Sequence, residues 1–394
     1  MPSTTSPSRH KPKPVIGFDA RNLTRASLRG IGVSTARLYA RLAHLRPDWR
    51  FIAYHQLPRA EGPERLEAPN IEWKRIDVPG DRVDAWTQIR LPWQALRDKI
   101  DLLHMPANWC PIWQPVPTAV TLHDAIPLEN RDRNDRQQRT RFQLALKAAA
   151  KAAAILTPSV YVASVLQQKL PTAAKRIHVI HWGADPVPGI DPEHTTLRIE
   201  PTGINQPFVL HFAAQDPRKN TRRLLDAWSL LPPDIRSTWK LVLVGANGSL
   251  HNDLTRAVNR LGVTASVTLL EPQDRPRLEA LIREAGLLAY PSLSEGFGLP
   301  ITEAFTRGTP VLTSNRTSMP EIAGNAAELV DPRNTMAIRN GLETLLTNPD
   351  RRHQLAEAGK QRAQHFRWDD AALRLAAVFE NRLALPTIHL KAAA

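Results

Sequence analysis

Short apolar runs alternate with amphipathic stretches along most of the 394-residue chain. The runs, such as 15–18 and 208–212, hold three to five residues each, and most have the length of short buried strands. Between the runs, apolar residues recur at helical spacing, as at Leu38, Leu42 and Leu45 in a helix predicted over 33–45. Strands that alternate with helices predict parallel sheets covered by helices.

This alternation occurs twice. The first set of predicted strands lies at 15–18, 51–54, 102–104, 119–122, 154–157 and 177–180, with a long basic helix at 139–154. A Pro- and Gly-rich stretch follows at 185–207, which we interpret as a linker. The second set lies at 208–212, 240–244, 266–270, 286–290 and 310–313, with a helix at 221–231. We therefore predict two α/β domains, over 15–200 and 201–370, with ligands at the carboxyl ends of facing strands.

The composition, 42% hydrophobic and 23% charged, is that of a globular protein. No apolar run approaches the 18 or more residues of a membrane span. Residues 1–14 are polar and basic, so we expect a disordered tail and not a secretory signal. The single cysteine, Cys110, excludes an intrachain disulfide and fits a reducing cytosol. We expect it to be a small buried thiol.

The net charge of +14 is concentrated in the first half of the chain. Residues 1–200 hold 29 Lys and Arg against 19 Asp and Glu, a net charge of +10. Such a surface could face nucleic acid, an anionic bilayer or a diphosphate-bearing acceptor, or it could only keep an Arg-rich protein in solution. Because the chain lacks basic residues interleaved with aromatic ones, we expect no nucleic-acid partner.

The segment with the most chemical content is 291–304, Pro-Ser-Leu-Ser-Glu-Gly-Phe-Gly-Leu-Pro-Ile-Thr-Glu-Ala. The strand predicted at 286–290 precedes it. The segment itself predicts a loop with Gly296 and Gly298, then a helix after Leu299. The unpaired N–H groups at a helix N-terminus form a seat for phosphate. Glu295 in the loop and Glu303 one turn into the helix flank that seat. This arrangement suits a ligand with central phosphates and hydroxyls at both ends, such as a nucleotide-diphosphate sugar.

The string Ser-Glu-Gly-Phe-Gly-Leu-Pro-x-x-Glu-Ala resembles the retaining GT-B glycosyltransferases of family GT4, in particular the bacterial polysaccharide mannosyltransferases. Further segments fall in the family's order: 16–21 with 29–32, 121–124, Ser159, 183–185, 217–220, 319–324 and 366–369. The resemblance implies the GT-B fold, which has two facing Rossmann-like domains and a cleft between them. It also implies that a last helix, 371–394, crosses back to the first domain.

The resemblance assigns donor-binding roles in the second domain. Glu303 binds the ribose hydroxyls, and Glu295 lies near the sugar, where Gly296, Phe297 and Gly298 present backbone groups. Leu299 offers its N–H to phosphate. Lys219 matches the family's diphosphate-binding lysine. The family's arginine some six residues earlier is replaced by alanine here, so Arg218 either takes over its role or faces solvent.

In the first domain, His123 matches a histidine that contacts sugar and phosphate. Gly30 and Gly32 either line the donor phosphates or only permit a tight turn. Ser159 either binds acceptor or substrate, or caps a helix. The implied catalytic set is Glu295, Lys219 and His123.

No Asp-x-Asp pair and no zinc-type Cys/His cluster occurs in the sequence, so we expect neither a metal nor another cofactor. The expected reaction moves a hexose, first of all mannose from GDP-mannose, onto a polyprenyl-diphosphate-linked saccharide at the cytoplasmic face of the membrane. Expected partners are the nucleotide sugar, the lipid-linked acceptor and an anionic membrane surface. The alternative functions are a transferase that uses UDP-glucose or another hexose donor, a nucleotide-sugar epimerase of GT-B fold, and a basic nucleic-acid-binding protein.

Overall fold

The computed structural model describes residues 13–24, 28, 30–57, 66–78, 85–126, 136–185 and 203–383. These residues form two parallel sheets with helices on both faces of each. The predicted fold class, two Rossmann-like α/β domains, is therefore confirmed. Most of the predicted tail, much of the predicted linker and the end of the last predicted helix lie outside the described residues.

The first sheet has seven parallel strands in the order β3-β2-β1-β4-β5-β6-β7. They are β1 (Val15–Asp19), β2 (Arg50–His55), β3 (Ile71–Arg75), β4 (Leu102–Met105), β5 (Thr118–Thr121), β6 (Ala154–Thr157) and β7 (Ile177–Val179). The central strand β1 pairs with β2 and β4, with Gly17 opposite Ile52 and Leu103.

The second sheet has six parallel strands in the order β10-β9-β8-β11-β12-β13. They are β8 (Phe208–Phe212), β9 (Lys240–Val244), β10 (Val267–Leu270), β11 (Leu287–Tyr290), β12 (Val311–Ser314) and β13 (Glu328–Val330). The strand order reverses beside β8, which pairs with β9 and β11. Ligands of open α/β sheets bind at such a reversal, beyond the carboxyl ends of the strands.

The helices of the described residues cover both faces of each sheet. Those that follow the first sheet's strands are α1 (Ile31–Leu45), α2 (Leu91–Arg97), α3 (Arg136–Ala149) and α4 (Val160–Lys169). The helices of the second half of the chain are α5 (Thr221–Ser229), α6 (Pro233–Thr238), α7 (Gly248–Arg260), α8 (Arg275–Glu284), α9 (Leu299–Arg307), α10 (Met319–Ala323), α11 (Thr335–Thr347), α12 (Pro349–Ala363) and α13 (Trp368–Arg382). Of these described helices, none is both long and apolar enough to cross a membrane.

Sequence patterning missed the two edge strands β3 and β13. β3 is half exposed and mixes Glu, Lys and Arg with its apolar residues, and β13 has three residues only. The basic helix predicted over 139–154 begins earlier, at Arg136, and ends at Ala149. The predicted helix and the predicted strand 154–157 overlap at Ala154. This residue begins β6, as the strand prediction has it, and pairs with Ala119, because sheet pairing outweighs the helix propensity of alanine.

The helix α13 packs on α1 of the first domain. Arg41 bonds Asp369 at 2.6 Å, and buried Arg46 pairs with buried Glu380. The ring centroids of Trp49 and Phe379 lie 6.4 Å apart. The opposite face of the first sheet is covered by residues 86–97 and by α3. Cys110 lies buried there, as expected, and burial raises the pKa of its thiol to about 12.

Candidate active site between the two domains

The glycine loop connects β11 to α9 at the cleft. Gly298 has φ 108°, a left-handed conformation that favours glycine, and it stands immediately before the first helical residue, Leu299. No side chain caps this end of the nine-residue helix, and Pro300 lies in its first turn. The N-terminal N–H groups of α9 therefore keep their capacity to bind an anion.

Lys219 and Glu295 form an ion pair at the carboxyl ends of β8 and β11. Lys219 Nζ lies 2.7 Å from Glu295 Oε1 and 2.6 Å from the Tyr290 hydroxyl, which also bonds Glu295 Oε1 at 2.7 Å. Burial lowers the pKa of Lys219, but Tyr290 and Glu295 more than offset this, so the pKa is raised. The site thus holds a fixed ammonium charge beside the glycine loop.

Arg218 lies beside this pair and is not simply a solvent-facing residue. Its guanidinium forms two hydrogen bonds with the Asp216 carboxylate, at 3.1 and 2.5 Å, and reaches toward the Ser294 carbonyl at 3.5 Å. Burial lowers its pKa, while the carboxylates of Asp216, Glu295 and Asp124 raise it, and the net shift is upward. A second cation therefore adjoins the glycine loop.

Glu303 connects α9 to both domains. Its Oε1 lies 2.8 Å from Arg275 Nη2 on α8 and 3.3 Å from Arg37 Nη1 on α1. Burial raises the pKa of Glu303, but the charges of Arg275, Arg37 and Arg307 have the larger effect and lower the pKa to about 2. The predicted ribose-binding carboxylate is thus ionised and held by arginines from each side of the cleft.

His123 follows β5 and faces the glycine loop from the first domain. Its Nε2 donates to the Pro106 carbonyl at 2.5 Å, which leaves Nδ1 as an acceptor. Nδ1 is buried and has no hydrogen-bond partner within the described part of the chain. Burial lowers the pKa of His123 to about 4, although the bond to Pro106 opposes the shift. His123 is therefore neutral at pH 7, with one acceptor available.

Gly296 and Ser159 join the two domains at the backbone. A Cβ on residue 296 would lie 1.8 Å from the His123 carbonyl oxygen, so only glycine fits this contact. Ser159 Oγ donates to the Gly296 carbonyl at 2.7 Å and accepts from Val162 N at the start of α4. Ser159 thus caps its helix, one of its two predicted roles. The acceptor-binding role stays a prediction.

Phe297 and the two N-terminal glycines complete the predicted set. The Phe297 ring is buried against Trp182, with ring centroids 5.3 Å apart, so this side chain packs the interface between the domains. Gly30 precedes α1 with φ 44°, and a Cβ at Gly32 would lie 2.8 Å from the Asn22 carbonyl. The turn into α1 therefore favours glycine at position 30, and the close approach of the Asn22 carbonyl requires it at position 32. The role of both glycines at the donor phosphates stays a prediction.

Three cleft residues carried no assigned role in the sequence. Tyr290 is the last residue of a predicted strand. Because ligands of α/β sheets bind at this end of the strands, its position alone indicates a residue of the site. Glu321 accepts hydrogen bonds from Val160 N and Tyr161 N, at 2.8 and 3.0 Å, and pairs with His181 across the cleft. Nothing in the sequence marks Arg275 as a partner of Glu303.

Among the residues that the structure describes, no group of three or more His, Cys, Asp or Glu side chains could hold a metal ion. Positive groups beside the glycine loop include Lys219, Arg218 and the N-terminus of α9.

Both halves of the chain are similar to known protein families. Residues 28–187 match the family Glycosyltransferase Family 4, and residues 196–362 match Glycosyl transferases group 1. The O-antigen chain mannosyltransferase B of Escherichia coli is 36% identical over 168 residues, which cover 42% of this chain and 43% of that protein. The chain thus aligns with less than half the length of this relative.

Solved structures share the fold at low sequence identity. Sucrose-phosphate synthase from Thermosynechococcus elongatus superposes with a TM-score of 0.74 at 18% identity, covering 94% of this chain and 99% of that one. Anabaena HepE in complex with UDP and glucose gives a TM-score of 0.68 at 18% identity, covering 93% and 99%.

The two parallel-sheet domains and the superposition on these structures show that the chain has the GT-B fold. The two family matches together span most of the chain, and the protein belongs to the GT4-type glycosyltransferases.

Proposed function

We propose that the protein transfers a hexose from a nucleotide-diphosphate sugar, with mannose from GDP-mannose as the first choice, and that the sugar's configuration is retained. One observation carries the proposal: Lys219 Nζ, paired with Glu295, stands beside the uncapped N-terminus of α9 and opposite His123. Fixed positive groups therefore converge where a diphosphate would lie between two sugar-binding carboxylates.

The chemistry needs this positive field. The bond between the anomeric carbon and the phosphate oxygen breaks, its electron pair stays on the leaving diphosphate, and the carbon acquires oxocarbenium character. Lys219, Arg218 and the N–H groups of α9 stabilise the growing negative charge. The acceptor hydroxyl attacks the same face, and its proton passes to a phosphate oxygen of the leaving group. No metal is required in this scheme.

The other residues orient the donor. Glu303 accepts hydrogen bonds from the ribose hydroxyls while Arg275 holds its carboxylate in place. His123 Nδ1 accepts a hydrogen bond from a sugar hydroxyl, since Nε2 is committed to Pro106. The N–H of Leu299 meets phosphate. Glu295 lies near the sugar ring, where Lys219 and Tyr290 fix its position.

The choice of mannose rests on the E. coli O-antigen mannosyltransferase, which aligns with part of this chain. The bound UDP and glucose of HepE favour UDP-glucose as the second candidate donor. A polyprenyl-diphosphate-linked saccharide is the proposed acceptor, met at the cytoplasmic face of the membrane. The net charge of +10 in residues 1–200 supports an anionic, membrane-bound partner.

A thermal-shift panel tests the donor assignment, because a ligand that binds only the folded state raises Tm. The panel contains GDP-mannose, UDP-glucose, GDP, UDP and, as an unrelated anion, ATP. GDP-mannose should raise Tm most for the wild type, and Glu303→Ala should lose that shift while Lys169→Ala, at an exposed site on α4, keeps it. Equal shifts with all five nucleotides, or none with any nucleotide sugar, would contradict the proposal.

A further inference from the structure

An apolar stripe lies exposed on the segment that ends in α2. Ile89, Trp93 and Leu96 are spaced four and three residues apart, so they share one helix face. These side chains are 60%, 40% and 48% exposed, respectively. The segment's other face is buried through Leu91 and Ala95. A surface helix normally buries its single apolar stripe, whereas this segment also shows one to solvent.

A neighbouring loop extends the stripe. Ile112 and Trp113 are 45% and 48% exposed. Gln88 ties this loop to the segment, since its Nε2 donates to the Cys110 carbonyl and its Oε1 accepts from Ile112 N. Large exposed side chains from two elements thus adjoin, and contiguous apolar patches mark interaction sites.

Two arginines flank the Trp93 ring, a local pairing of basic and aromatic side chains that the sequence analysis did not single out. Arg90 and Arg97 are exposed, and their guanidinium carbons lie 5.3 and 5.2 Å from the centroid of the Trp93 ring. The only acidic residue in 85–99 and 110–114 is Asp98, which is bonded to Lys74 and to the Tyr54 hydroxyl. We call Ile89, Arg90, Trp93, Leu96, Arg97, Ile112 and Trp113 the aromatic–arginine surface.

We propose that the aromatic–arginine surface docks the protein on an anionic lipid bilayer. Trp side chains favour the membrane–water interface, where their rings meet acyl chains and their N–H groups meet water. Arginines among them attract anionic headgroups. An apolar face with flanking cations is the composition of an interfacial anchor that lies on a membrane.

The surface also adjoins the cleft. The loop of Ile112 and Trp113 begins near Pro106 and Asn108, which bond His123 at 2.5 and 2.6 Å. The other element begins at Trp86, whose ring lies 4.0 Å from the Arg21 guanidinium carbon, just beyond the end of β1. Docking would therefore hold the mouth of the cleft close to lipid headgroups. This purpose rests on the proposed lipid-linked acceptor, but the docking itself does not.

The basic helix α3 lies on the same domain as this surface. Exposed Arg141, Lys147 and Lys151 lie on and after α3, and Gln114 links the loop to that helix through the Ala148 carbonyl. In the present proposal, α3 adds positive charge beside the aromatic–arginine surface. Salt should therefore weaken docking without abolishing it, because the apolar part of the binding is not screened.

Vesicle cosedimentation of the full chain tests the proposal without donor or acceptor. Vesicles of phosphatidylglycerol and phosphatidylcholine should retain the wild type at low salt, and part of it at 0.5 M NaCl, a concentration set at about three times physiological ionic strength. The variant Trp93→Ala/Trp113→Ala should lose the salt-resistant part, and Arg90→Gln/Arg97→Gln should lower the partition coefficient about tenfold or more at low salt. Leu230→Ala/Met336→Ala, which removes exposed apolar side chains of the second domain, should bind as the wild type.

A second readout needs no variant. Acyl-chain-brominated phosphatidylcholine in the vesicles should quench part of the tryptophan fluorescence of the wild type. No quenching, unchanged binding by folded Trp93→Ala/Trp113→Ala, or no wild-type binding would overturn the proposal. Two other results would also overturn the proposal: dimerisation that depends on concentration and is abolished by these variants, or DNA binding that these variants abolish when no vesicle binding is seen. A donor shift in Tm that persists in these cases would leave the proposed transfer activity standing.

Discussion

The carbonyl oxygen of His123 occupies the space that a side chain on Gly296 would need. The distance from that oxygen to an ideal Cβ at position 296 is 1.8 Å, and the Gly296 carbonyl is held by Ser159 on the same side of the cleft. The two domains thus meet backbone to backbone beside the Lys219–Glu295 pair. A methyl group at this position would separate the domains where catalysis is proposed.

Gly296→Ala should therefore lower kcat/KM by about 100-fold or more, because a displacement of about 1 Å in a catalytic arrangement can cost that much. The variant should stay folded, with a larger radius of gyration by small-angle X-ray scattering. Gly262→Ala is the control: it has positive φ and no neighbouring atom, so it adds backbone strain away from the cleft. Equal kcat/KM for Gly296→Ala and the wild type would show that this contact is absent in the active enzyme.

Lys219→Ala and Glu295→Ala should each reduce kcat by about 100- to 1000-fold, the usual cost of removing one preorganised electrostatic group. Lys219 supplies charge to the leaving diphosphate, and Glu295 lies beside the sugar. Circular dichroism should show both variants folded. Lys169→Ala, at an exposed site, should keep full activity. Transfer near the wild-type rate in either variant would remove that residue from the mechanism.

Glu303→Ala should raise the donor KM more than it lowers kcat, because the ribose is remote from the bond that breaks. The substitution also leaves Arg37 and Arg275 without this shared carboxylate, so some loss of stability is expected. Initial rates over a range of donor concentrations separate the two kinetic effects. A fall in kcat at unchanged KM would place Glu303 at the reacting centre.

Chelation of divalent ions should leave transfer intact, since in the proposed mechanism Lys219, Arg218 and the N-terminus of α9 take the electrostatic role of a metal. The measurement is the initial rate after dialysis against EDTA, compared with the rate after Mg²⁺ or Mn²⁺ is added back. Activity that disappears with EDTA and returns with either ion would refute this account.

The free energy of unfolding should fall as the pH drops from about 6.5 toward about 4. His123 has a folded-state pKa of about 4, because burial disfavours its charged form, against about 6.5 in the unfolded chain. The unfolded state therefore binds more protons in this window, and stability rises with pH. Urea titrations of wild type and His123→Asn should show a shallower pH dependence in the variant, by up to about 1.4 kcal/mol per pH unit. Parallel curves would mean that His123 titrates alike in both states.

The sequence predicted the sheets because their inner strands are almost entirely apolar, as in β9 after Lys240 and in β11. It did not predict β3, whose exposed edge carries charges, or the end of α3, which depends on pairing between Ala154 and Ala119. Local spacing identified Glu295, Glu303 and the glycine loop, since these residues are close in the chain. Contacts between distant segments, such as that of Glu303 with Arg37, arise only when the two domains meet and could not be read from either segment.

The contact between Gly183 and Trp368 limits how the protein can open. A Cβ at Gly183 would lie 2.3 Å from Trp368 N, and Ala184 N bonds the Phe366 carbonyl at 2.8 Å. The chain leaves the first domain and later returns to it at adjoining points. Because the two crossings lie side by side, sliding of one domain along the other is more restricted than rotation about this point.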